Sequence, residues 1–207
     1  MVEYFVNGGP FMWPILILLI AGLGISAERF YSLIMSSTNT KEFFDDVIKS
    51  LDNDGIDNTI ELCNNTSGPV AEIFHAGLSR FHRGLREVEK AVQDAGGLEM
   101  SFLEKNMIWM NAVITIAPML GFTGTVAGMV NAFDAIAAAN DISPAVVAGG
   151  ISQALLTTAF GLIVAMIIQI FQNFFVSIID KLILDMEENS VKFMDQLHLE
   201  YEKLAQS

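Results

Sequence analysis

Three stretches of this chain contain neither an acidic nor a basic residue, and their lengths constrain the fold more tightly than any other feature. They cover residues 4–27, 106–133 and 142–179, which is 24, 28 and 38 residues. A bilayer core about 30 Å thick is crossed by roughly 20 helical residues at about 1.5 Å each. Every run reaches that length, so the chain reads as an all-α membrane protein with three transmembrane helices. Of its 207 residues 52% are apolar and only 17% charged. That composition, concentrated in such runs, excludes an ordinary cytosolic enzyme, and no catalytic activity is expected.

Nearly all the charge lies in residues 28–105 and 180–203, so the net −13 does not describe a uniformly acidic surface. No basic patch of the kind that tracks nucleic acid is visible. The single cysteine, Cys63, excludes an internal disulfide framework. The N-terminal apolar run lacks a preceding base and exceeds the 7–15 residues usual for a signal peptide core. It is therefore read as a retained span. With three spans, all eleven bases fall on one side of the membrane, and the other side receives Glu3, Asp134 and Asp141. Basic loops stay cytoplasmic, which predicts an outside N-terminus and an inside C-terminus.

The resulting division is residues 1–35 as N-terminus and first span, 36–105 as a cytoplasmic helical domain, and 106–133 as the second span. Residues 134–145 form an external turn, 146–179 the third span, and 180–207 a cytoplasmic helix. Within 36–105, Thr40 can cap a helix over 41–51 that ends at Asn53-Asp54-Gly55. A short helix over 57–63 and a loop at 64–68 follow. Pro69 suits the first turn of a longer helix, on which Ile73, Gly77, Leu78, Phe81, Leu85 and Val88 share a face. Gly96-Gly97 is expected to interrupt that helix before the second span. The third uncharged run would be about 57 Å long as a helix, so the second and third helices extend well into the cytoplasm.

The first span is uniformly apolar and reads as a lipid-facing anchor. The other two carry stripes of small and hydroxylated residues: Gly121, Thr125, Gly128 and Ala132 in the second, Gly150, Ala154, Thr158, Gly161 and Ala165 in the third. Steps of three and four place each set on one helical face. Close helix packing explains such stripes, because small residues let backbones approach; Gly121, Gly128 and Gly161 are the packing candidates. A pore or partner-binding surface, with Thr125 and Thr158 supplying hydroxyls, is the sharper alternative. No Asp, Glu, His, Lys or Arg lies within a span, although intramembrane proton relays use ionisable side chains. Any titrating carboxylate must therefore arrive on another polypeptide. The amides Asn111, Asn131, Gln153, Gln169 and Asn173 read first as helix–helix hydrogen bonders. Pro118 removes an N–H inside the second span and is expected to kink it. Gly22-Leu23-Gly24-Ile25-Ser26-Ala27 fits a dinucleotide pattern but lacks a preceding strand. No Walker A lysine occurs, and His75, His82 and His198 are too scattered for a metal site. No cofactor and no metal are expected.

At the second and third spans the sequence resembles the MotA/TolQ/ExbB proton-channel family, most closely its ExbB/TolQ branch. The stretch Ala117-Pro118-Met119-Leu120-Gly121-Phe122-Thr123-Gly124-Thr125-Val126-Ala127-Gly128-Met129 looks like the family's A-P-x-L-G-x-x-G-T-V-x-G-M segment. Residues 150–162, from Gly150-Ile151-Ser152-Gln153-Ala154 to Gly161-Leu162, look like its G-I-x-x-A-L-x-x-T-A-x-G-L segment. Glu28-Arg29 also looks family-like. The resemblance implies a ring-forming homo-oligomer, a homopentamer. It would surround transmembrane helices of an ExbD/TolR-like single-span partner whose membrane aspartate carries the proton. It further implies that Thr125, Thr158 and Gln153 line the lumen. Gln153 stands where the branch often has a membrane glutamate, Ile167 replaces a family proline, and Gln172 replaces its usual tyrosine.

These features together predict an inner-membrane proton-channel stator subunit coupling the proton-motive force to TonB-dependent outer-membrane transport through a TonB-like protein. A TolQ-like role with a TolA-like protein in envelope integrity and division is one alternative. A structural scaffold with dry, packed spans and no ion conduction is another.

Overall fold

The computed structural model describes residues 2–36, 40–139 and 144–206, and the regular elements among them are all helical. Helix α1 (Val2–Asn7) is followed by α2 (Met12–Ser36). The first uncharged run is thus divided between two helices. Gly9 adopts φ 76, in the left-handed region that glycine enters without steric penalty, and the Pro10 ring removes a donor. Helix α2 restarts on Met12 N–H to Gly9 carbonyl and Trp13 N–H to Pro10 carbonyl bonds of 3.2 and 3.3 Å.

The remaining helices are α3 (Thr40–Asn53), α4 (Gly55–Asn64), α5 (Pro69–Leu78), α6 (Leu85–Leu103), α7 (Met107–Ala139) and α8 (Pro144–Gln206). The chain divides into two compact units, Met1–Arg29 with Asn106–Phe174 and Phe30–Lys105 with Phe175–Ser207. Helices α2, α7 and α8 are long and apolar enough to cross a membrane.

In the first unit α7 and α8 approach almost backbone to backbone. A Cβ placed on Gly161 would lie 2.6 Å from the Ala117 carbonyl oxygen, and one on Gly150 would lie 2.7 Å from that of Gly128. Helix α2 joins them at Gly22, where a Cβ would meet Ile168 Cδ1 at 2.8 Å and Val113 Cγ1 at 3.4 Å. Trp13, Ile17, Trp109, Phe122, Leu155 and Met166 stay exposed. In water so many exposed large apolar side chains would be untenable, whereas lipid solvates them.

The second unit has an aromatic centre. Phe74 is fully buried and stacks on Phe193 of α8 at 4.1 Å between centroids and on Phe43 of α3 at 6.0 Å. Gly77 lets α5 close on this pair, since a Cβ there would lie 2.9 Å from Val92 Cγ2 and 3.0 Å from Phe193 Cε1. The corner between α3 and α4 is turned at Gly55, φ 82, and tied by the Thr59 hydroxyl to Ser50 Oγ at 3.1 Å.

Three expectations are corrected here. The helix opening at Pro69 does not run on through Val88: it stops at Leu78, a 3-10 turn covers Phe81–Arg83, and α6 opens at Leu85. Gly84, with φ 97, makes that break. Gly96 and Gly97, expected to interrupt the helix, lie inside α6. The interruption before α7 falls instead at Asn106, which adopts φ 66, a conformation asparagine tolerates better than most residues. Finally, α7 stays helical through Ala139 and carries Asp134, while α8 begins at Pro144. Of the expected external turn, residues 140–143, including Asp141, lie outside the described residues. So do residues 37–39 ahead of Thr40.

Candidate functional site

The two small-residue stripes meet face to face within one chain. Gly121 sits against α8 so closely that a Cβ would lie 3.0 Å from both the Thr157 carbonyl oxygen and Thr158 Cα. A Cβ on Gly128 would be 2.9 Å from the Gly150 carbonyl oxygen and 3.0 Å from Ala154 Cβ. The predicted packing glycines therefore occupy a tight α7–α8 seam, because only hydrogen fits between the backbones.

Thr125 and Thr158 lie in this seam and hydrogen-bond to each other through their hydroxyls. The Thr158 hydroxyl donates to the Gly121 carbonyl at 3.0 Å. That of Thr125 is 3.2 Å from the Ala154 carbonyl and 3.3 Å from that of Gly121. Both side chains are half-buried. The pair is thus held on the α7–α8 seam. Such a pair can donate to and accept from a visiting polar group, yet it carries no charge of its own.

The adjacent Thr157 behaves differently. It is fully buried, donates to the Gln153 carbonyl at 2.6 Å, and fills the space left by Gly124, where a Cβ would come within 2.7 Å of its Cβ. Sequence reading passed over it, although the glycine opposite was the available signal. Gln153 points its amide at the α1–α2 turn: a Cβ on Gly9 would sit 2.0 Å from Gln153 Nε2. Gly9 and Gln153 are accordingly one packing unit, which the spacing of residues so far apart could not reveal. Pro118 lies within α7, helical on both sides and next to Ala117, whose carbonyl receives Gly161. Further along α8 the Gln169 amide donates to Asn173 Oδ1 at 2.9 Å, and the buried Gln172 Oε1 has no hydrogen-bond partner.

A second polar cluster ties α2 to the start of α7. Arg29 is 1% exposed, and its Nε and Nη2 donate to the two Glu28 carboxylate oxygens at 2.8 and 2.6 Å. Asn106 Nδ2 donates to the same carboxylate at 3.1 Å. This fork is a charge-assisted bidentate pair, and it explains why an acid–base doublet can follow directly on the apolar run within α2. No group of three or more His, Cys, Asp or Glu side chains suited to a metal occurs among the described residues. Burial pushes the Cys63 thiol up to about 12, so this lone cysteine is a packed thiol rather than a nucleophile.

Comparison with known proteins covers this seam in full. Residues 65–188 match the model of the MotA/TolQ/ExbB proton channel family. A putative biopolymer transport protein ExbB homolog of Methanothermobacter thermautotrophicus is 31% identical over 180 residues, 86% of this chain and 64% of its own length. The chain thus spans just under two thirds of that relative. A putative ExbB-like protein of Synechocystis is 27% identical over 83% of this chain and 82% of its own length. The Tol-Pal system protein TolQ of Pseudomonas aeruginosa is 34% identical over 108 residues, 46% of each chain. With its glycine-lined α7–α8 seam inside the matched region and relatives named ExbB and TolQ, the chain belongs to the MotA/TolQ/ExbB proton channel family, on the ExbB/TolQ branch.

Proposed function

We propose that this chain is the stator-like subunit of a proton-driven complex in the inner membrane, assembled as a homopentamer with its N-terminus outside and its C-terminal helix in the cytoplasm. The observation that carries the reading is chemical. The membrane portions of α2, α7 and α8 contain no ionisable side chain, while two hydroxyls meet on the α7–α8 seam. A proton path of this composition needs a titrating carboxylate from outside the chain. An ExbD/TolR-like single-span protein bearing a membrane aspartate meets that need.

In this reading Thr125 and Thr158 border the lumen and hydrogen-bond the partner's carboxylate as it moves between subunits. Gln153 flanks the path, Pro118 kinks α7 beside it, and the chain performs no enzymatic step. Each proton crossing about 100 mV releases roughly 2.3 kcal/mol, so substantial work takes repeated steps. The output is passed to a TonB-like protein serving outer-membrane transport. Similarity to TolQ favours a second output, a TolA-like protein in envelope maintenance. Deletion separates them: loss of TonB-dependent uptake indicates the first, a constriction defect at division the second.

The composition of the complex is the decisive test. Mass measurement of the intact complex, purified from membranes, is expected to give several copies of this chain with a small single-span protein inside. A lone, dry oligomer would support a scaffold instead. The double substitution Thr125→Val with Thr158→Val keeps side-chain volume and is expected to abolish energised transport while the complex still assembles; full transport in that variant would contradict the role given to the hydroxyls.

A further inference from the structure

Four of the eleven basic residues fall within eleven positions, at Arg80, Arg83, Arg86 and Lys90, in a chain with 24 acids. Arg83 closes the 3-10 turn and Arg80 flanks its start, the Arg83 N–H bonded to the Arg80 carbonyl at 2.9 Å, and three residues per turn put them on one side. Arg86 and Lys90 follow one turn apart on α6. Gly84 provides no capping side chain at the start of α6, whose first turn carries Glu87 as its acidic residue. Ion pairs among the described residues include Glu28–Arg29, Asp46–Lys49 and Glu188–Lys192. None involves these four bases, and Arg83, Arg86 and Lys90 are exposed. Glu87 and Glu89 stand among these bases on α6, yet none of the four bases is drawn into an ion pair among the described residues, so their charge stays open to an anionic surface.

The same unit presents a surface of the opposite sign. On α8, Leu182, Met186, Phe193 and Leu197 are buried, and the reverse face carries Leu184, Glu187, Val191 and Asp195 at steps of three, four and four. Leu184 is 61% and Val191 64% exposed, and Glu187 and Asp195 are exposed and outside the recorded ion pairs. An apolar pair flanked by unpaired acids fits arginine well, because the aliphatic stem covers the apolar surface while the guanidinium reaches the carboxylate. Within the chain the basic turn is held by Phe81 against Tyr201, at 6.1 Å between ring centroids, beyond the acidic stripe. Two complementary, separate patches on one chain make a head-to-tail contact, which closes a ring when repeated.

We infer that the Arg83, Arg86 and Lys90 edge of one copy packs on the Leu184, Glu187, Val191 and Asp195 stripe of the next. The inference rests on the oligomer proposed above and adds the contact that joins its subunits outside the membrane. It is tested on the full chain in membranes with two differently tagged versions, Arg83→Cys in one and Glu187→Cys in the other. Co-expression under mild oxidation is expected to give a mixed-tag disulfide dimer at least about tenfold above either single variant, since Cys63 is buried and silent. Charge reversal by Arg83→Glu with Arg86→Glu is expected to cut co-purification of the tags at low ionic strength, where exposed charges are least screened, by a similar factor. Adding Glu187→Arg and Asp195→Arg to the same chain is expected to restore it.

Tags that co-purify without any mixed dimer, a swap that fails to rescue, or Arg83→Cys trapping a different protein would each overturn the contact while leaving the oligomer standing. Tags that never co-purify would remove the oligomer and the contact together.

Discussion

At residue resolution the α7–α8 seam is decided by hydrogen atoms. Gly161 faces the Ala117 carbonyl oxygen at a hypothetical Cβ distance of 2.6 Å, whereas Gly24 has nothing within 4 Å. Gly161→Ala must therefore push two backbones apart, an overpacking expected to cost about 1–3 kcal/mol. Gly24→Ala removes only the glycine penalty and is expected to be neutral or slightly stabilising. Thermal unfolding of the solubilised protein should show a fall of several degrees for the first and none for the second. Cys63 offers a pH-dependent readout. Its folded thiol titrates near 12 against a usual 9.0, so the neutral form is favoured in the fold. Its contribution to stability is complete below about pH 9 and is lost as the pH climbs toward 12. Native protein at pH 8 is expected to resist iodoacetamide and to react only after denaturation, as mass spectrometry would reveal; rapid native labelling would refute the buried placement.

Among the elements, the junctions are more telling than the helices. Asn106 sits at φ 66 between α6 and α7 and also donates to Glu28. A β-branched residue cannot adopt that conformation without strain of about 1–2 kcal/mol. Asn106→Val is therefore expected to destabilise the protein more than Asn106→Gly, which forfeits only the Glu28 hydrogen bond, worth about 1 kcal/mol. Chemical denaturation of the two variants compares them directly, and equal midpoints would show that the backbone conformation carries no weight. The Gly9 turn obeys the same logic with a different restraint. Its φ of 76 and the Gln153 amide resting on it make α1, a helix of 6 residues, part of the membrane unit rather than a loose leader to α2.

For the molecule as a whole, the division into two units separates apolar from charged chemistry, and α2 and α8 contribute to both. In the proposed role this chain alone supplies a path without a carrier. Reconstituted by itself in liposomes, it is expected to pass protons at the background rate. Adding the single-span partner with its membrane aspartate should raise the flux measured by an internal pH dye, and partner Asp→Asn should return it to background. Appreciable flux from the chain alone would sink the division of labour.

Much of this organisation was legible in the chain because desolvation dictates it. Charged groups are too costly in hydrocarbon, so three uncharged runs announce three long apolar helices, and the steps of Gly121, Thr125 and Gly128 announce a common face. The punctuation Asn53-Asp54-Gly55 marks the α3–α4 corner for a similarly local reason, the ease with which glycine turns. What periodicity could not supply were the breaks and the partners. A helical pattern from Pro69 to Val88 persists across Gly84 because both sides pack on the same core, and Gly96-Gly97 lies inside a continuous α6 although a Cβ on Gly97 would meet nothing within 4 Å. The meeting of Gln153 with Gly9, of Thr157 with Gly124, and of Asn106 with Glu28 depends on how distant segments lie together. Local sequence determined which segments avoid water and which helical faces are small; only tertiary packing, which sums contacts between distant residues, decided where the helices stop and which side chains share a site.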